Sequence, residues 1–114
     1  MSTITTHVLD TSRGRPAGGL AVTLETWTPV EGWRLLATGV TDADGRLRDL
    51  LPEGGAPAEG VYRLTFDTGA YFGAQSVESF YPSVGVVFRV RGAGEHYHVP
   101  LLLSPFGYST YRGS

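Results

Sequence analysis

His96 and His98 stand two apart in Glu95-His96-Tyr97-His98-Val99-Pro100-Leu101-Leu102-Leu103-Ser104, and the apolar run that follows them reads as a strand. Residues i and i+2 of a strand share a face, so both imidazoles point to one side of the sheet. Three readings of the pair compete. The plainest is two solvated or hydrogen-bonded structural rings. Neutral imidazoles at this spacing can also share a metal ion, although no obvious third ligand stands beside them. The third reading is acid/base work, which suits a group that titrates near neutrality. His7 lies mid-strand between Thr5 and Leu9, where a polar ring is mildly out of place, and taken alone it reads as a structural histidine. Arg46 directly follows Asp42-Ala43-Asp44-Gly45, a turn signal that holds the start of its strand, and Arg48 falls on the same strand face. Each arginine alone is an ordinary solvated charge. The closing Tyr111-Arg112-Gly113-Ser114 joins an aromatic, a cation and a hydroxyl. Domain ends usually fray, but here the apolar alternation runs almost to Ser114, which predicts a segment pinned by packing. The plain alternative is an edge strand.

Composition limits what these groups can do. At 114 residues, 41% hydrophobic and 18% charged, the chain reads as one globular domain over residues 1–114. A formal charge of −2 argues against a nucleic-acid groove or an anionic membrane surface. No apolar run approaches the roughly 20 residues needed to span a bilayer. Met1 to Thr6 lacks the basic and apolar regions of a signal peptide, so the expectation is a cytoplasmic protein. There is no Cys, which removes disulfides, thiolate nucleophiles and sulfur-ligated metals. Every basic side chain is Arg, which removes lysine Schiff-base chemistry. Proton transfer is left mainly to His, Asp, Glu and Tyr.

The elements that must position these residues are short. Strands are expected at 4–10, 20–28, 33–40, 46–50, 61–67, 84–91, 96–103 and 108–112, each bounded by Gly, Pro, Asp or Ser turns. In the second of them Leu20, Val22 and Leu24 share one face, with Thr23 and Glu25 on the other. Pro52 to Gly60 reads as a surface loop. Thr68 is a candidate cap for a helix of one or two turns carrying Tyr71 and Phe72. About eight strands and one short helix predict an all-β sandwich of two sheets. There is no internal repeat.

Taken together, the residues resemble the transthyretin-like family of 5-hydroxyisourate hydrolases from Ile4 to Ser114. The marks are His7-Val8-Leu9-Asp10, Thr41-Asp42-Ala43-Asp44-Gly45-Arg46, Tyr71-Phe72, Glu78-Ser79-Phe80-Tyr81-Pro82, the block His96 to Pro105, and the closing Tyr-Arg-Gly-Ser. Phe106 stands where many relatives are expected to carry Tyr, and it touches only a turn. The resemblance implies a transthyretin-like, eight-stranded two-sheet sandwich with one short helix after the fifth strand. It also implies a homotetramer, a dimer of dimers, whose active sites lie in a central channel. The implied activity is hydrolysis of 5-hydroxyisourate to 2-oxo-4-hydroxy-4-carboxy-5-ureidoimidazoline in urate degradation, with no cofactor and no metal. Carried over by residue, the catalytic set falls on His7, Arg46, His98 and Ser114, and substrate binding on His7, Arg46, Tyr111 and Arg112. At least some of the terminal residues would come from a neighbouring subunit. His98 is expected to activate water with Ser114 in its hydrogen-bond network, and His7 and Arg46 to hold substrate. The alternative is a transthyretin-type carrier of a small ligand, which shares the fold and needs no catalysis. A generic sandwich interaction module is the third reading.

Overall fold

The computed structural model of the chain describes residues 4–51, 57–92 and 94–114. In chain order its elements are β1 (Ile4–Asp10), β2 (Arg15–Pro16), β3 (Ala21–Thr28), β4 (Gly32–Val40), β5 (Arg46–Leu47), β6 (Gly60–Phe66), α1 (Thr68–Gly73), β7 (Val84–Val90), β8 (Tyr97–Ser104) and β9 (Gly107–Thr110). One sheet runs β2-β1-β8-β9, with β5 also paired to β1; the other runs β4-β3-β6-β7. β1 and β8 are parallel, in the register Thr5↔His98 and His7↔Pro100. That pairing brings the first strand of the chain beside the histidine strand.

Alternation explains which face is which. Ile4, Thr6 and Val8 of β1 and Tyr97, Val99, Leu101 and Leu103 of β8 are buried against Val22, Leu24, Tyr62, Leu64 and Phe66 of the second sheet. Each fully buried Phe or Leu contributes roughly 2 kcal/mol of transfer free energy. Thr5, His7 and His98 occupy the opposite parity and face outward. Buried polar groups are paired: Thr6 Oγ1 donates to the Val99 carbonyl at 2.6 Å. The Asp10 carboxylate accepts from the Ser12 N–H and hydroxyl and from the Tyr71 hydroxyl at 2.8 Å. Burial, and then the bond to Asp10, raise the Tyr71 pKa, so this hydroxyl is a permanent donor that ties α1 to the end of β1.

Three local expectations are corrected. The helix is capped by Asp67, whose carboxylate accepts from the Ala70 N–H; Thr68 is the first helical residue and is buried, donating instead to the Tyr81 carbonyl at 3.2 Å. β5 is two residues long, not five. Leu47 packs against Gly39 of β4 and Leu50 is buried, so the chain turns inward and leaves the β1 edge. The segment between the strands expected at 4–10 and 20–28 is not all turn: it contains β2, an edge pairing of Leu9 with Pro16 and Asp10 with Arg15, where proline is tolerated. Most of the loop expected from Pro52 to Gly60 lies outside the described residues, as do Met1 to Thr3 and Ala93. No helix among the described residues is long and apolar enough to cross a membrane.

Candidate active site

The turn before β5 is the most heavily bonded part of the site's frame. The Asp42 carboxylate accepts from the backbone N–H of Asp44 at 2.9 Å and of Arg46 at 3.0 Å. The bond from Arg46 is the leading reason that its pKa lies below the ordinary carboxylate value. Gly45 has φ +75°, and a Cβ there would collide with the Val8 carbonyl oxygen. The turn therefore lies flat on β1 with the pairs Thr6↔Leu47 and His7↔Arg46. Arg46 is aimed from a rigid base.

His7 is held by the same turn. Its Nε2 lies 2.9 Å from the Asp44 carbonyl oxygen. A carbonyl only accepts, so Nε2 carries the proton and, in the neutral ring, Nδ1 is bare.

His98 projects from β8 beside Thr5 of β1. The Thr5 hydroxyl oxygen is 2.8 Å from His98 Nδ1 and 3.1 Å from His96 Nε2. The two rings lie nearly parallel, 12° apart, with centroids 6.4 Å from each other. His98 Nε2 has no hydrogen-bond partner among the described residues. The pKa of His98 is lowered, first by burial of the ring and then by the positive fields of His96, His7 and Arg46. The imidazole is therefore neutral at neutral pH, which a base requires.

The C-terminal segment closes over this ring. Gly113 N–H donates to the His98 carbonyl at 2.8 Å, and a Cβ on Gly113 would come within 2.6 Å of His98 Cδ2. Only glycine fits against the imidazole there. The pinned end expected from the sequence is thus a backbone bridge to His98 itself.

An open pocket of about 310 Å³ lies on this outer face, lined by Thr5, Arg46, Arg48, His96, His98 and Ser114. The ion pairs among the described residues are Arg63–Glu25 and Arg112–Glu95; Arg46 and Arg48 form none, and the carboxylate that feels their charge, Asp42, is engaged by the backbone of its own turn. No group of three His, Cys, Asp or Glu that could hold a metal ion occurs among the described residues. The arrangement offers an unpartnered imidazole nitrogen, two guanidinium groups and hydroxyls to an electron-rich ligand.

Of the residues expected in the site, Arg46, His98 and Ser114 meet in this pocket; His7 does not line it and is tied to it through its strand pairing with Arg46. Tyr111 and Arg112 do not join them within one chain. They line a separate cavity with Val86, Phe88, Tyr97 and Val99 near the edges of β7 and β9. Arg112 stacks on the Tyr97 ring at 4.7 Å and bonds Glu95 and the His96 carbonyl, each at 3.3 Å. The hydroxyl bonded to His98 belongs to Thr5, a residue the sequence reading passed over. Its signal was parity: Thr5 is two residues before His7 and shares its face. Arg48, read as a solvated charge, lines the pocket as well.

Comparison with known proteins places this geometry in a lineage. Residues 4–113 match the HIUase/Transthyretin family. A 5-hydroxyisourate hydrolase of Salmonella typhimurium is 50% identical over 111 residues, covering 97% of this chain and 80% of that one. One from Mus musculus is 49% identical over 117 residues, covering 99% and 96%. Among solved structures, 5-hydroxyisourate hydrolase of Klebsiella pneumoniae superposes with a TM-score of 0.85 at 40% identity, covering 97% and 98%. Sea bream transthyretin in complex with thyroxine gives 0.90 at 41% identity, covering 97% and 94%. The chain belongs to the HIUase/transthyretin family.

Proposed function

We propose that this chain hydrolyses 5-hydroxyisourate in urate degradation, opening the six-membered ring to give 2-oxo-4-hydroxy-4-carboxy-5-ureidoimidazoline. The observation that carries this reading is the juxtaposition in one pocket of a neutral His98, with its Nε2 unpartnered among the described residues, and the unpaired Arg46. Half-identity to hydrolases across nearly the whole chain supports it. Fold likeness alone does not discriminate, since sea bream transthyretin in complex with thyroxine superposes at least as well as a hydrolase.

In the mechanism, His98 Nε2 takes a proton from water as the water oxygen attacks a ring carbonyl. Arg46 stabilises the oxyanion that develops there. The ring C–N bond then breaks, and the imidazolium returns its proton to the departing nitrogen. His7, whose Nε2–H is held by Asp44, keeps a fixed orientation and binds substrate; Ser114 lines the pocket with His98 and Arg46. A base of this kind supplies about 10²- to 10⁴-fold of acceleration.

Tyr111 and Arg112 fit this scheme through assembly. β7 and β9 are the outer strands of their sheets, with Val87, Tyr108 and Tyr111 exposed. Unpaired edges with apolar side chains seek partners. A homotetramer, a dimer of dimers, would bring such residues from one subunit to the pocket of another. Light scattering on the purified protein tests this, and a monomer at assay concentration would count against it.

The reaction is tested by adding the protein to 5-hydroxyisourate freshly made from urate by urate oxidase and following ultraviolet absorbance. Faster decay than in buffer is expected. Decay at the buffer rate, with thyroxine or another small ligand bound, would favour the carrier.

A further inference from the structure

A hydroxyl has one proton to give, and Thr5 Oγ1 lies within hydrogen-bond distance of two ring nitrogens, His98 Nδ1 at 2.8 Å and His96 Nε2 at 3.1 Å. It can donate to one of them and accept from the other. Thr5 is only 7% exposed, which keeps its hydroxyl from turning freely to solvent. The direction of this single O–H therefore links the tautomers of the two histidines.

We propose that Thr5 and His96 are positioning residues for His98, the Thr5 hydroxyl acting as a rotor that sets the His98 tautomer according to the protonation of His96. The proposal rests on His98 being the base of the reaction above. When His96 is neutral with a bare Nε2, the Thr5 hydroxyl donates to it and accepts from His98 Nδ1–H. His98 then presents a bare Nε2 to water. The proton it takes there makes an imidazolium whose Nδ1–H still bonds Thr5, and the same proton leaves on the ring nitrogen of the product.

When His96 is protonated, its Nε2–H can only donate. Thr5 must accept from it and turns its own proton toward His98 Nδ1. His98 is then driven to the Nε2–H tautomer and loses its basic nitrogen. The remaining arrangement, with Thr5 accepting from both rings, leaves the Thr5 proton without an acceptor among the described residues. One proton on His96 thus disables His98 without touching it.

The charged and titratable groups around this unit are few. On β1 there is His7; on β5 and just after it, Arg46 and Arg48, with Asp42 of the preceding turn within their field; before β8, Glu95, which is paired with Arg112 of the C-terminal segment. Arg112 also bonds the His96 carbonyl, so the backbone carrying His96 is fixed while its ring is exposed to solvent. Sequence position alone hid this unit, because Thr5 and His98 are 93 residues apart.

The test combines substrate-free spectroscopy with kinetics on the full chain. Nitrogen-15 NMR of labelled imidazoles should find His98 protonated at Nδ1 and bare at Nε2 in neutral solution, and its tautomer should switch as His96 titrates. The acid limb of kcat for the wild type should then lose two protons. His96→Gln keeps an acceptor for Thr5 but cannot be protonated, so it should remain active with a one-proton acid limb. Thr5→Val should lower kcat roughly 10- to 100-fold with little change in KM, as loss of an orienting partner does, and Thr5→Ser should restore it. A wild-type His98 held as the Nε2–H tautomer at neutral pH would overturn the proposal, as would a two-proton limb in His96→Gln or full kcat with an unchanged profile in Thr5→Val. Absence of hydrolysis in the wild type would overturn the proposed reaction instead, and the NMR result would then decide the rotor on its own.

Discussion

The outer faces of the two sheets both display arginine among rings, but they use it in opposite ways. On the sheet β4-β3-β6-β7, Arg63 sits in register with Glu25 and bonds one of its carboxylate oxygens at 2.9 and 2.7 Å. Its guanidinium also lies 4.3 Å from the centroid of Trp33, which packs edge-on to Trp27 across the hairpin. Every favourable partner for that cation is already supplied by the fold. On the other sheet, Arg46 and Arg48 share a pocket with two histidines and form no ion pair among the described residues, the carboxylate that feels their charge, Asp42, being bonded to backbone N–H groups of the turn. Guanidinium groups bound directly to a carboxylate hold strands together; those with no ion pair, beside a neutral base, keep their donors for a ligand.

This contrast predicts unequal responses to substitution. Arg46→Gln should lower kcat/KM by about 10²- to 10³-fold, the usual effect of losing an oxyanion donor, with the fold intact by circular dichroism. The same variant sharpens the electrostatic account. Burial is the main reason His98 titrates below its ordinary value of about 6.5, and Arg46 adds to it. Removing that positive charge lets the ring protonate more readily, so the acid limb of the residual activity should move to higher pH. An unmoved limb would separate Arg46 from His98.

Gly113→Ala comes next. Its new methyl would need space already occupied by His98 Cδ2, so the imidazole must shift. A misplacement on the order of 1 Å costs roughly a hundredfold in rate, and kcat should fall accordingly while thermal stability changes little. Wild-type kcat in this variant would mean the ring has more freedom than the packing indicates.

The smallest effect belongs to the opposite face. Glu25→Gln should leave hydrolysis unchanged and reduce stability by about 1 kcal/mol or less, since the pair is partly exposed. Lost activity there would erase the distinction between the two faces.

Much of this site could be read from the sequence because its chemistry sits on strands with strict parity. The two-residue period puts His7 and His98 on faces that can be named in advance, while their grouping with Arg46 was expected from the family likeness. The two sheets and the placement of the helix followed from turn residues and alternation in the same way. What escaped was set by contacts between distant segments. A threonine on a strand is ordinary, and only the parallel pairing of β1 with β8 gives Thr5 its two imidazoles. The strand expected at 46–50 ends after Leu47, because Leu50 is drawn into the core. Asp67 outcompetes Thr68 as cap because the Thr68 side chain is buried and bonded to Tyr81. The place of Tyr111 and Arg112 was expected from family likeness, and a single chain leaves them outside the pocket.

The central claim is that His98 is the base of a hydrolytic pocket. Its most direct test is the rate of 5-hydroxyisourate decay with His98→Asn beside wild type, at neutral pH and equal concentration of folded protein. The account predicts strong acceleration by wild type and a loss of about 10²- to 10⁴-fold in the variant, the share a general base supplies. Decay at the wild-type rate with asparagine at this position would contradict it.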